Sequence, residues 1–218
     1  MKSNRKSNDG NHGIIVGLTG GIACGKTTVS EIFKELGADI INADLIGHEV
    51  LKEDKSVKDR LVATFGQNIL GENREISRYK LGNIAFDNKC HLDKINKIVH
   101  PAIIRKIQEN ISQKTSSIQN NILIIEAPLL IEVNLINMVD VVVVVYADED
   151  KQIKRLNDRG LSENEALKRI KSQMPVKDKL RYADFVIYNN DSISNTRKRV
   201  VEIWGILQDS LKGNQKKP

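Results

Sequence analysis

Gly20-Gly21-Ile22-Ala23-Cys24-Gly25-Lys26-Thr27 matches the pattern G-x-x-x-x-G-K-[ST] at every fixed position. Its surroundings give the match its weight. The apolar run Ile14–Leu18 precedes it as a strand would, and Thr28-Val29-Ser30-Glu31-Ile32-Phe33 opens a helix directly after it. Each position has a physical use. Glycines let backbone N–H groups curl around phosphate oxygens, and the helix N-terminus adds positive potential. Lys26 is placed to reach the β- and γ-phosphates, and the Thr27 hydroxyl to ligate Mg²⁺. Gly21, Ile22, Ala23, Cys24, Gly25, Lys26, Thr27 and Thr28 are therefore the expected ATP-binding residues. Cys24 reads as a small residue tolerated in the loop, with a redox-sensitive thiol as the alternative.

Outward from this loop, short β-branched runs recur at Ala38–Ile41, Ile122–Ile125, Val139–Val145 and Phe185–Tyr188. They are apolar throughout rather than alternating, which suits strands covered on both faces of a parallel sheet. Helix-like segments separate them, as at Lys26–Leu36, Asp148–Asp158 and Ser192–Leu211. The alternation predicts a doubly wound α/β domain. One interval, Asp44 to Asn120, is too wide for a simple crossover and reads as a helical insertion. Pro101 falls inside its apolar periodicity, which predicts two helices meeting near His100-Pro101.

The second strand ends on Ile40-Ile41-Asn42-Ala43-Asp44. A carboxylate there either orients or deprotonates an attacking hydroxyl, or N-caps the helix Leu45–Leu51. With the phosphate loop upstream, the catalytic role is the stronger reading for Asp44.

Composition bounds the partners. The chain has 218 residues with a formal charge of +6, 40% apolar and 28% charged residues. Its longest apolar run, Val141 to Ala147, falls far short of the roughly 20 residues that span a bilayer. Residues 13–210 carry only +1, because the ends hold the rest, and segment 151–181 is +6 against −5 for the remainder of that core. Aromatics at 4% leave few surfaces for stacking bases. Nucleic acid and membrane are thus not the expected partners. Two cysteines build no disulfide framework and fit a reducing compartment, hence a cytoplasmic protein. Cys90-His91 lacks a second Cys/His pair at zinc spacing.

Beyond the loop, an ordered series of motifs resembles the dephospho-CoA kinase family. GLTGGIACGKTTV and INADLIGHEV are similar to the family's LTGGIGSGKSTV and DADxIAxxV. FGQNIL, the run Arg78–Phe86, Val99-His100-Pro101, Pro128-Leu129-Leu130-Ile131-Glu132, Lys154–Arg159, Ala166-x-x-Arg169-Ile170-x-x-Gln173 and Ala183–Asn189 follow in order. The resemblance runs from about residue 14 to 205.

It implies transfer of a phosphoryl group from MgATP to the 3′-hydroxyl of dephospho-CoA, the last step of coenzyme A synthesis. The expected fold is a P-loop nucleotide kinase sheet of about five strands, with core 13–44, 120–147 and 182–210. An acceptor-binding insertion at 45–119 and a lid at 148–181 complete the kinase domain 13–210, flanked by disordered tails at 1–12 and 211–218. Small-molecule substrates, in a monomer or small homo-oligomer, are the expected partners. Asp44 matches the family's catalytic acid.

Arg155 and Arg159 lie at i and i+4 and are expected to share a helix face. There they either grip phosphate oxygens, Arg155 in the catalytic role and Arg159 on ATP, or form part of a solvated basic face.

The chain departs from the family text at several positions. Asn42 replaces the first Asp of DAD, His48 stands where Arg is common, and Gly160 and Tyr188 each replace an Asp. Glu126 replaces the usual Asp before PLL and is a candidate Mg²⁺ residue beside Thr27. Another small-molecule kinase of the same fold is the first competing function. A guanine-nucleotide switch lacks its N-K-x-D tetrad here, since Asn88-Lys89 and Asn96-Lys97 are not followed by the Asp. A basic nucleic-acid-binding ATPase is disfavoured by the −5 body.

Overall fold

A computed structural model describes residues 13–117 and 122–214. The expected tail at 1–12 and residues 215–218 lie outside them. Five parallel strands form one sheet in the order β2-β3-β1-β4-β5. The elements run β1 (Ile14–Gly20), α1 (Lys26–Glu35), β2 (Asp39–Asn42), α2 (Ala43–Glu53), α3 (Lys55–Phe65), α4 (Arg78–Asp87) and α5 (Lys89–Ser117). They continue β3 (Ile122–Glu126), β4 (Val141–Tyr146), α6 (Glu149–Asn157), α7 (Glu163–Lys171), α8 (Val176–Lys179), β5 (Phe185–Tyr188) and α9 (Ile193–Asn214).

The doubly wound reading holds, and the burial explains why. All five residues of β3 and five of the six in β4 are buried, so these strands have no solvent face that would call for polar alternation. On one face Val29, Ile32 and Phe33 of α1 pack with Val200, Ile203, Leu207 and Leu211 of α9 against Val16, Leu18, Ile124 and Val143. Helix α9 continues to Asn214, four residues into the span expected as a disordered tail. Buried Leu211 holds its last turn on the core.

The described chain divides into two units, the sheet unit up to Asn42 and again from Lys114, and a helical unit Ala43–Gln113. The sequence placed the insertion at 45–119. The last turn of α5 instead belongs to the sheet unit, where Lys114 Nζ donates to Asp39 Oδ1 at 2.9 Å.

Within the helical unit, α5 is a single helix of 29 residues with Pro101 inside it, not two helices meeting there. A proline costs an interior helix about 3 kcal/mol through one lost hydrogen bond and a clash. Buried Ile95, Ile98 and Val99 before it and Ala102 and Ile107 after it lie on the same helical unit's core, and their packing outweighs that cost. Asp44 is the second residue of α2 rather than a cap outside it. Strand β2 passes into helix with no intervening residue.

Candidate active site

The phosphate loop leaves β1 through Gly20, where a Cβ would run into the Val145 carbonyl oxygen of neighbouring β4. It enters α1 through Gly25, at φ 92°, where a Cβ would collide with the Asn189 side-chain amide. Only glycine meets both demands. Gly25 also brings no capping side chain to the start of α1. The helix N-terminus is thereby kept for an anion.

Two side chains hold the loop from outside. Asn189 Nδ2 donates to the Cys24 carbonyl at 2.8 Å, and its Oδ1 accepts from Thr196 Oγ1 at 2.9 Å. Arg155 donates to the Ala23 carbonyl at 3.0 Å and to the Asn189 carbonyl at 2.7 Å. Ala23 itself sits at φ 57°, a conformation that a non-glycine residue keeps only when its surroundings enforce it. Asn189 closes the sequence run Ala183–Asn189, but nothing in its local pattern announced a contact with residue 24. That contact exists because β5 ends beside the loop.

Lys26 Nζ donates to the Gly20 and Gly21 carbonyls at 3.2 and 2.9 Å. Cys24 is fully buried, and burial pushes its thiol pKa up against the lowering pull of Lys26, two backbone hydrogen bonds and Arg155. A thiol so placed is a packing group, not a redox sensor.

The hard oxygen donors gather at the end of β3. Glu126 is buried, its Oε1 accepting from Thr27 Oγ1 at 3.4 Å and its Oε2 from Asn42 Nδ2 at 3.3 Å. Both partners are neutral donors. A hydroxyl and a carboxylate beside a phosphate loop fit a cation of the Mg²⁺ type, which is held by one or two protein oxygens together with substrate phosphates. Consistently, no group of three or more His, Cys, Asp or Glu among the described residues forms a metal cage of its own.

Of the two arginines expected in a lid, Arg155 lies within α6 and Arg159 just after its end. Helix α6 ends at Asn157, and the chain turns at Gly160 (φ 89°), with Gly160 N–H bonded to Asn157 O and Leu161 N–H to Leu156 O. This is a glycine-terminated helix end. Arg155 is thus drawn inward to the loop, and exposed Arg159 lies beyond the helix. Ile22 and Ala23 pack with Ile153, Leu156, Ala166 and Ile170, joining α6 and α7 to the loop by apolar contact. Ser162 and Glu165 start α7 with a reciprocal capping box. A cavity of about 520 Å³ opens beside Gly21 and Ile22, bordered by Gln152, Gln173 and Met174.

The helical unit has a cavity of its own, also about 520 Å³. Asp44, Gly47, His48 and Leu51 of α2 line it, with Asn96 and His100 of α5 and Arg78 at the start of α4. Arg78 Nη1 approaches His48 Nδ1 at 3.5 Å. Burial holds the His100 pKa below the usual histidine range, so its imidazole is neutral at pH 7. Arg78, Asn96 and His100 were not assigned from sequence. The i, i+3, i+4, i+7 spacing of 44, 47, 48 and 51 was the available signal, since it places them on one helix face with Asp44.

The family model and the relatives of similar sequence agree on one family. The dephospho-CoA kinase family model matches residues 14–195. A dephospho-CoA kinase of Carboxydothermus hydrogenoformans is 44% identical over 190 residues, covering 87% of this chain and 92% of the relative. One of Aquifex aeolicus is 40% identical over 192 residues, covering 87% and 95%. Among solved structures, a Thermus thermophilus protein superposes with a TM-score of 0.77 at 26% identity, covering 89% of this chain and 97% of that one. A dephospho-CoA kinase from Campylobacter jejuni does so with a TM-score of 0.60 at 30% identity and the same coverage.

Proposed function

The chain belongs to the dephospho-CoA kinase family, and we propose from that premise how its residues divide the work of moving a phosphoryl group from ATP to the 3′-hydroxyl of dephospho-CoA. The observation that carries the reading is the meeting of Lys26, Thr27 and Glu126 at the ends of β1 and β3, where a nucleotide's phosphates would lie. Backbone N–H groups from Gly21 to Thr28 hold the β-phosphate. Lys26 exchanges the Gly20 and Gly21 carbonyls for β- and γ-phosphate oxygens, a swap of neutral for charged acceptors. Arg155 and Asn189 keep the loop in that shape. Thr27 and Glu126 would hold Mg²⁺, which would supply charge neutralisation on the ATP phosphates.

The cavity around Asp44 takes the acceptor, with Arg78 and His48 facing its phosphates and neutral His100 hydrogen-bonding its ribose. In the reaction the 3′-oxygen bonds to the γ-phosphorus, the bond to the bridging oxygen breaks, and ADP leaves. Asp44 orients the hydroxyl and accepts its proton. Arg159 closes over ATP from the lid and, by excluding water, suppresses hydrolysis. Two free cysteines and the use of ATP support a cytoplasmic setting.

The test is ADP release from purified protein with MgATP and either dephospho-CoA or a nucleoside monophosphate. Turnover is expected with dephospho-CoA, with coenzyme A as product. Turnover with a nucleoside monophosphate and none with dephospho-CoA would overturn the proposal.

A further inference from the structure

We infer that Asn42 is a positioning residue that aims the Glu126 carboxylate at Thr27, and that it does so because it is an amide and not an acid. The inference rests on reading Thr27 and Glu126 as the metal-facing pair. Asn42 and Glu126 are register partners, the last residues of the neighbouring parallel strands β2 and β3. Their side chains therefore leave the sheet on the same face, and the Asn42 amide nitrogen lies 3.3 Å from Glu126 Oε2. With Oε2 held across the strand pair, Oε1 is the oxygen turned toward Thr27.

Charge decides which residue serves at position 42. Glu126 is 6% exposed, and the partners of its two oxygens are a hydroxyl and an amide, neither of which carries charge. An aspartate at 42 would set a second carboxylate directly across from the first at the same separation. Like charges that close repel and push the two side chains apart. That takes Glu126 Oε1 off its line to Thr27. Asparagine has the shape of aspartate and donates where aspartate would repel.

Mn²⁺ binding to the protein–ADP complex, followed by the electron paramagnetic resonance of free Mn²⁺, tests this without relying on turnover. ADP affinity in the presence of EDTA reports whether each variant keeps the loop. Metal-free ADP affinity is expected to stay within twofold throughout. Mn²⁺ affinity is expected to fall about tenfold or more in Asn42→Asp, and by less in Asn42→Leu, which removes the donor without adding charge. The double variant Asn42→Asp/Glu126→Gln is expected to bind Mn²⁺ no worse than Glu126→Gln alone, since no second carboxylate remains to repel.

If both single Asn42 variants stay within twofold of wild type while Glu126→Gln loses Mn²⁺, the metal reading stands and the role of Asn42 falls. Unchanged Mn²⁺ affinity in Glu126→Gln as well overturns both. Additive losses in the double variant, or loss of metal-free ADP binding in Asn42→Asp, also overturn the positioning role.

Discussion

Lys179, fully buried in α8, places its ammonium 2.9 Å from Glu132 Oε1 and donates to the Pro128 carbonyl at 2.5 Å. The same Glu132 oxygen accepts the Met174 N–H at 3.4 Å, and Pro128 O also accepts from Thr19 Oγ1 at 3.2 Å. The end of α8 is thereby fastened to the loop that follows β3 and, through Pro128 O, to β1. Breaking a buried pair by removing one partner costs about 3–5 kcal/mol, because a charge is left uncompensated. The two halves differ in exposure, 0% for the Lys179 side chain and 22% for Glu132. Glu132→Ala, which strands the buried ammonium, should fall in that range, and Lys179→Met should cost less, since Glu132 can still reach water. Urea denaturation of the two variants checks the order; equal losses would contradict it.

Asp44→Asn and Lys26→Ala should each lower kcat by about 10²-fold or more, the scale of losing one preorganised charge contact. Asp44→Asn should retain the wild-type thermal midpoint, as Asp44 is exposed. Near-normal kcat in folded Asp44→Asn would assign that carboxylate to the first turn of α2, where it favours the helix dipole.

Arg155 spans two carbonyls on separate segments, Ala23 of the loop and Asn189 after β5. A lysine at 155 has one ammonium and cannot reproduce that fork. Arg155→Lys should weaken ADP binding about tenfold, roughly the loss of one charge-assisted hydrogen bond. Calorimetric titration with ADP reads this directly, and an unchanged affinity would detach the guanidinium from the shape of the loop.

His100 gives the fold a pH dependence of known sign. Burial depresses its pKa in the folded state, while the unfolded chain takes a proton near pH 6.5. The unfolded state therefore binds more protons, and this group's contribution to stability is complete above about pH 6.5 and is lost as the pH falls through that value toward the folded pKa. Wild type should lose more of its urea midpoint between pH 7.5 and 5.5 than His100→Gln does. Parallel losses would show that other groups carry the acid sensitivity.

Much of this was legible along the chain because it depends on neighbours in sequence. The strand, glycine loop and helix at residues 14–33 form one local unit, and strands buried on both faces announce themselves by unbroken apolar runs. Lys26, Thr27 and Asp44 were named as candidates from that local logic. Pro101 misled for the same reason. Local propensity predicts a break, and only the apolar contacts of α5 on either side of the proline explain a continuous helix. The end of α6 ahead of Arg159 was not legible either, since spacing alone does not reveal the turn that Gly160 closes.

What the sequence determined by itself was the class of sheet, the phosphate loop and the family, all of them properties of contiguous or ordered motifs. The tertiary structure decided which groups meet across 84 to 165 residues of chain: Asn42 with Glu126, Thr27 with Glu126, Arg155 with Ala23 and Asn189 with Cys24. Those encounters come from strand order and register. Asn42 and Glu126 face each other because β2 and β3 are neighbours that end together, a fact held in the packing of the whole sheet and in no stretch of residues.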